Sequence, residues 1–148
     1  MSEVSQLTWD KFLIDYPEAH LLQSRSWGEL KSSYGWEVSR IISRSSSNHE
    51  LASVGAQILF RGLPLGYTLA YLPKGPVIPK TQPGHWNDWG KLWAEVDKVC
   101  KKKRSVFLLV EPDLWGTDNS TAEDKQNQWT VPPDGFNNSM FSVQPVRT

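Results

Sequence analysis

The sequence predicts an α/β fold, and three observations carry that reading. Residues 7–16 and 86–100 repeat apolar side chains at helical spacing. Three strand-like runs lie between them, divided by Gly, Pro and polar turns. Residues 106–110, Val-Phe-Leu-Leu-Val, form the continuous apolar run expected of a strand covered on both faces. At 148 residues the chain is the size of one domain with one core. Lysine plus arginine equal aspartate plus glutamate at sixteen each, so no global basic field marks a polyanionic partner; any such partner must meet a local patch. The single cysteine, Cys100, has no internal disulfide partner, and the first residues have neither the basic nor the apolar region of a signal peptide. A cytoplasmic setting is expected. Any membrane contact would be peripheral, because no apolar run approaches the roughly 20 residues of a spanning helix.

In the first helix Trp9, Phe12, Leu13 and Tyr16 recur at i, i+3, i+4 and i+7. Thr8 suits the N-cap, Leu7 and Phe12 the hydrophobic staple, and Pro17 ends the helix. His20 reads as a hydrogen-bonded structural residue, since no second His or Cys lies at ligand spacing. A second, short helix follows. Ser26 and Glu29 form a capping box, Trp27, Leu30 and Tyr34 a buried stripe, and Gly35 fits the C′ position. Lys31 lies four residues after Trp27, about 40° around the helix from it. At that border its amine either goes to water above an apolar stem or overlooks a cleft. Residues 36–43 and 51–60 read as an antiparallel hairpin, with residues 44–50 as its polar turn.

Residues 67–77, Tyr-Thr-Leu-Ala-Tyr-Leu-Pro-Lys-Gly-Pro-Val, are a strand stopped by Pro73, Gly75 and Pro76. The two prolines fix their own φ and restrict their predecessors, so Lys74 is held at a strand end between constrained points. Either this is an ordinary Pro/Gly turn with a solvated lysine, or the cation and nearby N–H groups meet a phosphate or carboxylate. The second long helix begins near Pro83-Gly84, with Trp86, Trp89, Trp93, Val96, Val99 and Cys100 on one face as core. Lys101 to Arg104 complement its C-terminal dipole, or else touch RNA or lipid phosphate. The run 106–110 ends in Glu111-Pro112-Asp113, placing an acid at a strand end, where a ligand-facing acid or base stands in open α/β sheets. A short helix at 122–126 and a strand at 136–143 complete the reading.

Four pieces then fall in a telling order. They are Gln23-Ser-x-x-Trp27-x-x-x-Lys31, Tyr71-x-x-Lys74-Gly-Pro-Val77, Glu111-Pro112, and Gly135-Phe136 leading to Val143-Gln-Pro-x-x-Thr148. Their order and spacing resemble the FemABX family of peptidoglycan bridge-forming aminoacyltransferases, over nearly the whole chain. The resemblance implies a GNAT-like twisted mixed sheet flanked by helices. It implies transfer of an amino acid from aminoacyl-tRNA to the stem-peptide amine of a nucleotide- or lipid-linked peptidoglycan precursor, with no cofactor. It places Lys31 on the precursor's phosphates and Glu111 as a base near the acceptor amine, with Trp27, Tyr71, Lys74 and Gly75 as further substrate-binding positions.

Family proteins carry two such modules, and the resemblance implies that this chain is the N-terminal one over residues 1–148, truncated before the second, either as a module of a longer enzyme or as a truncated reading frame. A second GNAT-like module, in cis or in trans, is therefore an expected partner. No Gly-rich pyrophosphate loop is present, so coenzyme A is rejected as donor. The competing expectation is a non-catalytic glycan- or RNA-binding domain that uses Trp86, Trp89 and Trp93 together with the Lys101 to Arg104 patch.

Overall fold

The computed structural model describes residues 3–44, 53–78 and 86–113, the side chains of 86–89 excepted. The order is α1 (Gln6–Ile14), α2 (Arg25–Ser33), β1 (Trp36–Arg44), β2 (Ser53–Gly62), β3 (Thr68–Pro73), α3 (Trp86–Lys102) and β4 (Ser105–Glu111). Among the described residues the sheet runs β1-β2-β3-β4. The first two pairings are antiparallel, as the hairpin reading required, and β3–β4 is parallel, with α3 as its crossover. This is the α/β class that the sequence predicts. The helix at 122–126 and the strand at 136–143 lie outside the described residues.

Side-chain alternation gives the sheet two different faces. One carries Ala56, Ile58, Phe60, Ala70, Leu72, Leu108 and Val110, and α3 closes it with Leu92, Val96, Val99 and Cys100. Trp93 is partly buried against this core; the side chains of Trp86 and Trp89 lie outside the described residues. The opposite face receives α1 at one end, where Trp9, Phe12 and Tyr16 cluster with Val77. Burying each such side chain stabilises the fold by roughly 1.5–3 kcal/mol.

Three local expectations are corrected. Ser5, not Thr8, caps α1: its hydroxyl accepts from Thr8 N–H at 3.3 Å, and Val4 rather than Leu7 packs toward the Trp9 cluster. The helix starts three residues early because the Ser5 hydroxyl satisfies the Thr8 N–H, one of the orphan donors of a first turn that begins at Gln6. In α2, Ser24 accepts from Trp27 N–H at 3.2 Å, while Glu29 pairs with Arg25 at 2.7 Å instead of closing a capping box with Ser26. Leu30 and Tyr34 are exposed, and the buried residue of α2 is Gly28. The helix approaches through its smallest side chain, above Arg40 and Gln57, which turns the expected stripe outward. Gly35 does take the C′ position, with φ +81°. Finally, Val106 and Phe107 are exposed although β4 was expected to be covered on both faces. It is the last strand of the described sheet and α3 covers only one side, which leaves Phe107 open, while Val106 is the extra residue where the β3–β4 register shifts between Ser105 and Phe107.

Candidate active site

The site is built where β2 and β3 part. Their ladder ends at Leu59↔Tyr71, yet pairing resumes at Gly55↔Val77. Residues 56–58 of β2 therefore face residues 72–76, and the two extra residues bulge outward. Lys74 lies in that bulge with φ +46°, a left-handed conformation rare for a side chain other than Asn or Asp. Gly75 follows, joined to Pro76 by a cis peptide bond.

Gln23 fills the gap between the parted strands and is completely buried. Its Oε1 accepts from Gln57 N–H at 2.8 Å, and its Nε2 donates to Pro73 O at 2.5 Å and to Gln57 O at 3.3 Å. The side-chain amide thus satisfies main-chain groups that a regular ladder would have paired. A Cβ on Gly75 would come within 2.9 Å of Gln23 Nε2, so glycine is required for this close approach. Sequence reasoning met Gln23 only as the first letter of a motif. The signal for Gln57 was a lone amide in an otherwise apolar strand run.

The bulge delivers Lys74 to the end of the neighbouring parallel strand. Lys74 Nζ lies 2.8 Å from Glu111 Oε1, the Tyr71 hydroxyl donates to Glu111 Oε2 at 2.5 Å, and Gly75 N–H donates to Glu111 O at 3.2 Å. All three side chains are partly exposed. The Lys74 ammonium first, and the Tyr71 hydroxyl second, hold the Glu111 carboxyl below its ordinary range, with a smaller pull from His20. Burial, followed by the hydrogen bond to Glu111, pushes the Tyr71 phenol up. The result is a fixed carboxylate at neutral pH, one oxygen on an alkylammonium and the other on a phenol that stays protonated. His20 has a structural role as well, since its Nδ1 accepts from Leu22 N–H at 3.2 Å.

Tyr71, Lys74, Gly75 and Glu111 are thus brought together; Trp27 and Lys31 form a second group. Lys31 Nζ stands 4.9 Å from the Trp27 ring centroid and 5.6 Å from that of Trp36. Trp36 begins β1 four residues before Arg40, the neighbour of Gln57, which puts the two groups about 13 Å apart along the strand direction, with β2 and β3 also standing between Trp36 and Glu111. The basic run 101–104 is largely neutralised: Lys101 pairs with Asp97, Lys102 with Glu3 and Lys103 with Glu37, while Arg104 stacks on Tyr67. That pairing and the partial burial of Trp93 disfavour the binding-platform alternative.

The sequence model of the FemAB family matches residues 4–136. This chain belongs to the FemAB family. Its relatives include proteins named lipid II:glycine glycyltransferase from Staphylococcus haemolyticus, 30% identical over 106 residues, and from Staphylococcus epidermidis, 31% identical over 109 residues. A protein of the same name from Staphylococcus saprophyticus is 30% identical over 106 residues. Each alignment covers 71% of this chain and 24% of the relative, so the FemAB-family chain matches about a quarter of the length of these proteins.

Proposed function

We propose that the chain serves in an aminoacyltransferase of peptidoglycan bridge formation, passing an amino acid from aminoacyl-tRNA to the stem-peptide amine of a lipid- or nucleotide-linked precursor. The observation that carries this reading is the alkylammonium of Lys74 on the Glu111 carboxylate. An acceptor amine arrives as the same chemical group, and Glu111 with Tyr71 offers it a charged, oriented partner. In the reaction the amine nitrogen, once deprotonated, attacks the ester carbonyl carbon. The new C–N bond replaces the C–O bond to the ribose, whose oxygen takes up a proton. A carboxylate held below its ordinary pKa is a weak base, so Glu111 acts chiefly by binding the ammonium and transiently taking one proton from it before attack; the second proton leaves the nitrogen after the C–N bond forms and goes to the ribose oxygen. In this reading Lys74 is the ion that the acceptor displaces.

Lys31, cradled by Trp27 and Trp36, takes the precursor's phosphates. The parallel β3–β4 pair in an otherwise antiparallel sheet supports a GNAT-like module. The 24% coverage of the glycyltransferases supports a further module, in cis or in trans, that completes the tRNA and precursor contacts, and the lipid-linked acceptor in those relatives' name supports a location at the inner face of the membrane. The test is transfer from aminoacyl-tRNA to precursor by the complete enzyme. Glu111→Gln should lower kcat at least a hundredfold with the fold intact, and undiminished transfer would remove Glu111 from the chemistry. Lys31→Ala should weaken precursor binding about tenfold to a hundredfold, and leave a phosphate-free stem peptide unaffected. Equal loss for both ligands would make Lys31 structural.

A further inference from the structure

The end of the sheet remote from Glu111 carries features that aminoacyl transfer does not use. There α2 and α3 end, β1, β3 and β4 begin, and β2 turns into β3 through Leu63-Pro-Leu-Gly66. Leu65 sits in that turn with φ +64° and is 86% exposed. Its position is unfavourable twice over. Left-handed backbone favours Gly, Asn or Asp, and an isobutyl group in water gains nothing from folding. Leu63 and Tyr67, two residues to either side, are also exposed, as are Val106 and Phe107 where β4 starts. Single exposed apolar residues are ordinary; a group of them around a strained leucine is a hint of function.

Cations border this group. The Arg104 guanidinium lies 4.7 Å from the Tyr67 ring and that of Arg61 5.5 Å from the Trp36 ring, and neither forms a salt bridge among the described residues. The nearby acid Glu37 is taken by Lys103. An apolar apex, the Tyr67 and Trp36 rings, and arginines without carboxylate partners among the described residues match the layers of a lipid surface: acyl boundary, interface and phosphate. A protein partner fits less well, since so tight a turn offers little of the more than 1,000 Å² that a stable interface needs.

We propose that this end of the module docks on an anionic bilayer, with Leu65 inserted and Arg61 and Arg104 on headgroup phosphates. The inference rests on the transfer reading in one respect. A lipid-linked acceptor would hold its diphosphate at this same end, beside Lys31, with its stem amine at Glu111, about 13 Å further along the strand direction and about 14 Å across three strand spacings.

The experiment is sedimentation of the 148-residue chain with precursor-free vesicles of phosphatidylglycerol and phosphatidylcholine, against phosphatidylcholine alone. Binding is expected on the anionic vesicles and should weaken as salt is raised. Leu65→Asn should lower the partition coefficient about tenfold, yet raise the melting temperature, because Asn accepts the left-handed turn. Arg61→Gln with Arg104→Gln should weaken binding severalfold on anionic vesicles only. Equal binding to both vesicle types, or equal binding by Leu65→Asn, would overturn the proposal. So would self-association of the chain that Leu65→Asn abolishes without a change in vesicle binding, which would assign the turn to a second copy. Since the vesicles contain no precursor, failure here leaves the transfer reading standing, and failed transfer leaves this one.

Discussion

Glu111 illustrates how one residue's charge state depends on neighbours supplied by other strands. Its carboxyl is held below the ordinary value by Lys74 and then by Tyr71. The folded pKa lies below that of the unfolded chain, so the pair stabilises the fold above the unfolded value of about 4.3, and this is lost as pH falls through the folded pKa. Glu111→Gln should therefore lower the melting temperature at pH 7, and the difference should shrink below roughly pH 4, as followed by circular dichroism. A constant difference at all pH values would mean that the charge contributes nothing. Gln23 acts one step back. Gln23→Met keeps the side-chain volume but leaves Gln57 N–H and Pro73 O without their partners, at about 2–4 kcal/mol in urea unfolding. The same change loosens the bulge that presents Lys74, so the Glu111 carboxyl, followed by NMR, should titrate at higher pH. If stability falls while that titration stays put, Gln23 supports the fold without positioning the site.

At the scale of elements, α2 depends on a glycine. A Cβ on Gly28 would lie 2.6 Å from Arg40 Nη2 and 2.7 Å from Gln57 Oε1. Those atoms cannot yield cheaply. Arg40 is buried with its Nε donating to Gln57 Oε1 at 2.8 Å, and Gln57 Nε2 donates to Ser24 O at 2.8 Å. Burial already pulls the Arg40 guanidinium pKa down, so added desolvation there works against the fold. Gly28→Ala should destabilise the domain by about 1–3 kcal/mol in denaturant titration, although alanine is the better helix former by about 1 kcal/mol. A neutral or stabilising result would show that α2 can shift away from the sheet without loss.

For the whole molecule, α3 and the sheet enclose the main core, and Cys100 reports on its integrity. Burial first, then Asp97, pushes its thiol up to about 12, so little thiolate exists at neutral pH. Labelling by an aromatic disulfide reagent should proceed only through unfolding, with a rate that rises in step with the denatured fraction. Fast labelling of the native chain would show that α3 opens locally.

Much of this architecture is legible in residue order, because periodicity and turn chemistry are local. The Trp9 and Phe12 stripe, the hairpin, the Gly35 stop and the acid at the end of β4 all follow from neighbours a few positions away. The resemblance carried by Gln23, Trp27, Lys31, Tyr71, Lys74 and Glu111 supplied the family, through their spacing. Tertiary structure alone decided which of these residues meet. Tyr71 and Glu111 are forty positions apart, and they touch because β3 and β4 pair in parallel. The bulge that turns Lys74 onto Glu111 depends on a mismatch in length between β2 and β3, which neither strand encodes by itself. The outward turn of Leu30 and Tyr34 has a similar origin: hydrophobic spacing marks a face, but the close approach of Gly28 to Arg40 and Gln57 determined which face of α2 the sheet could receive.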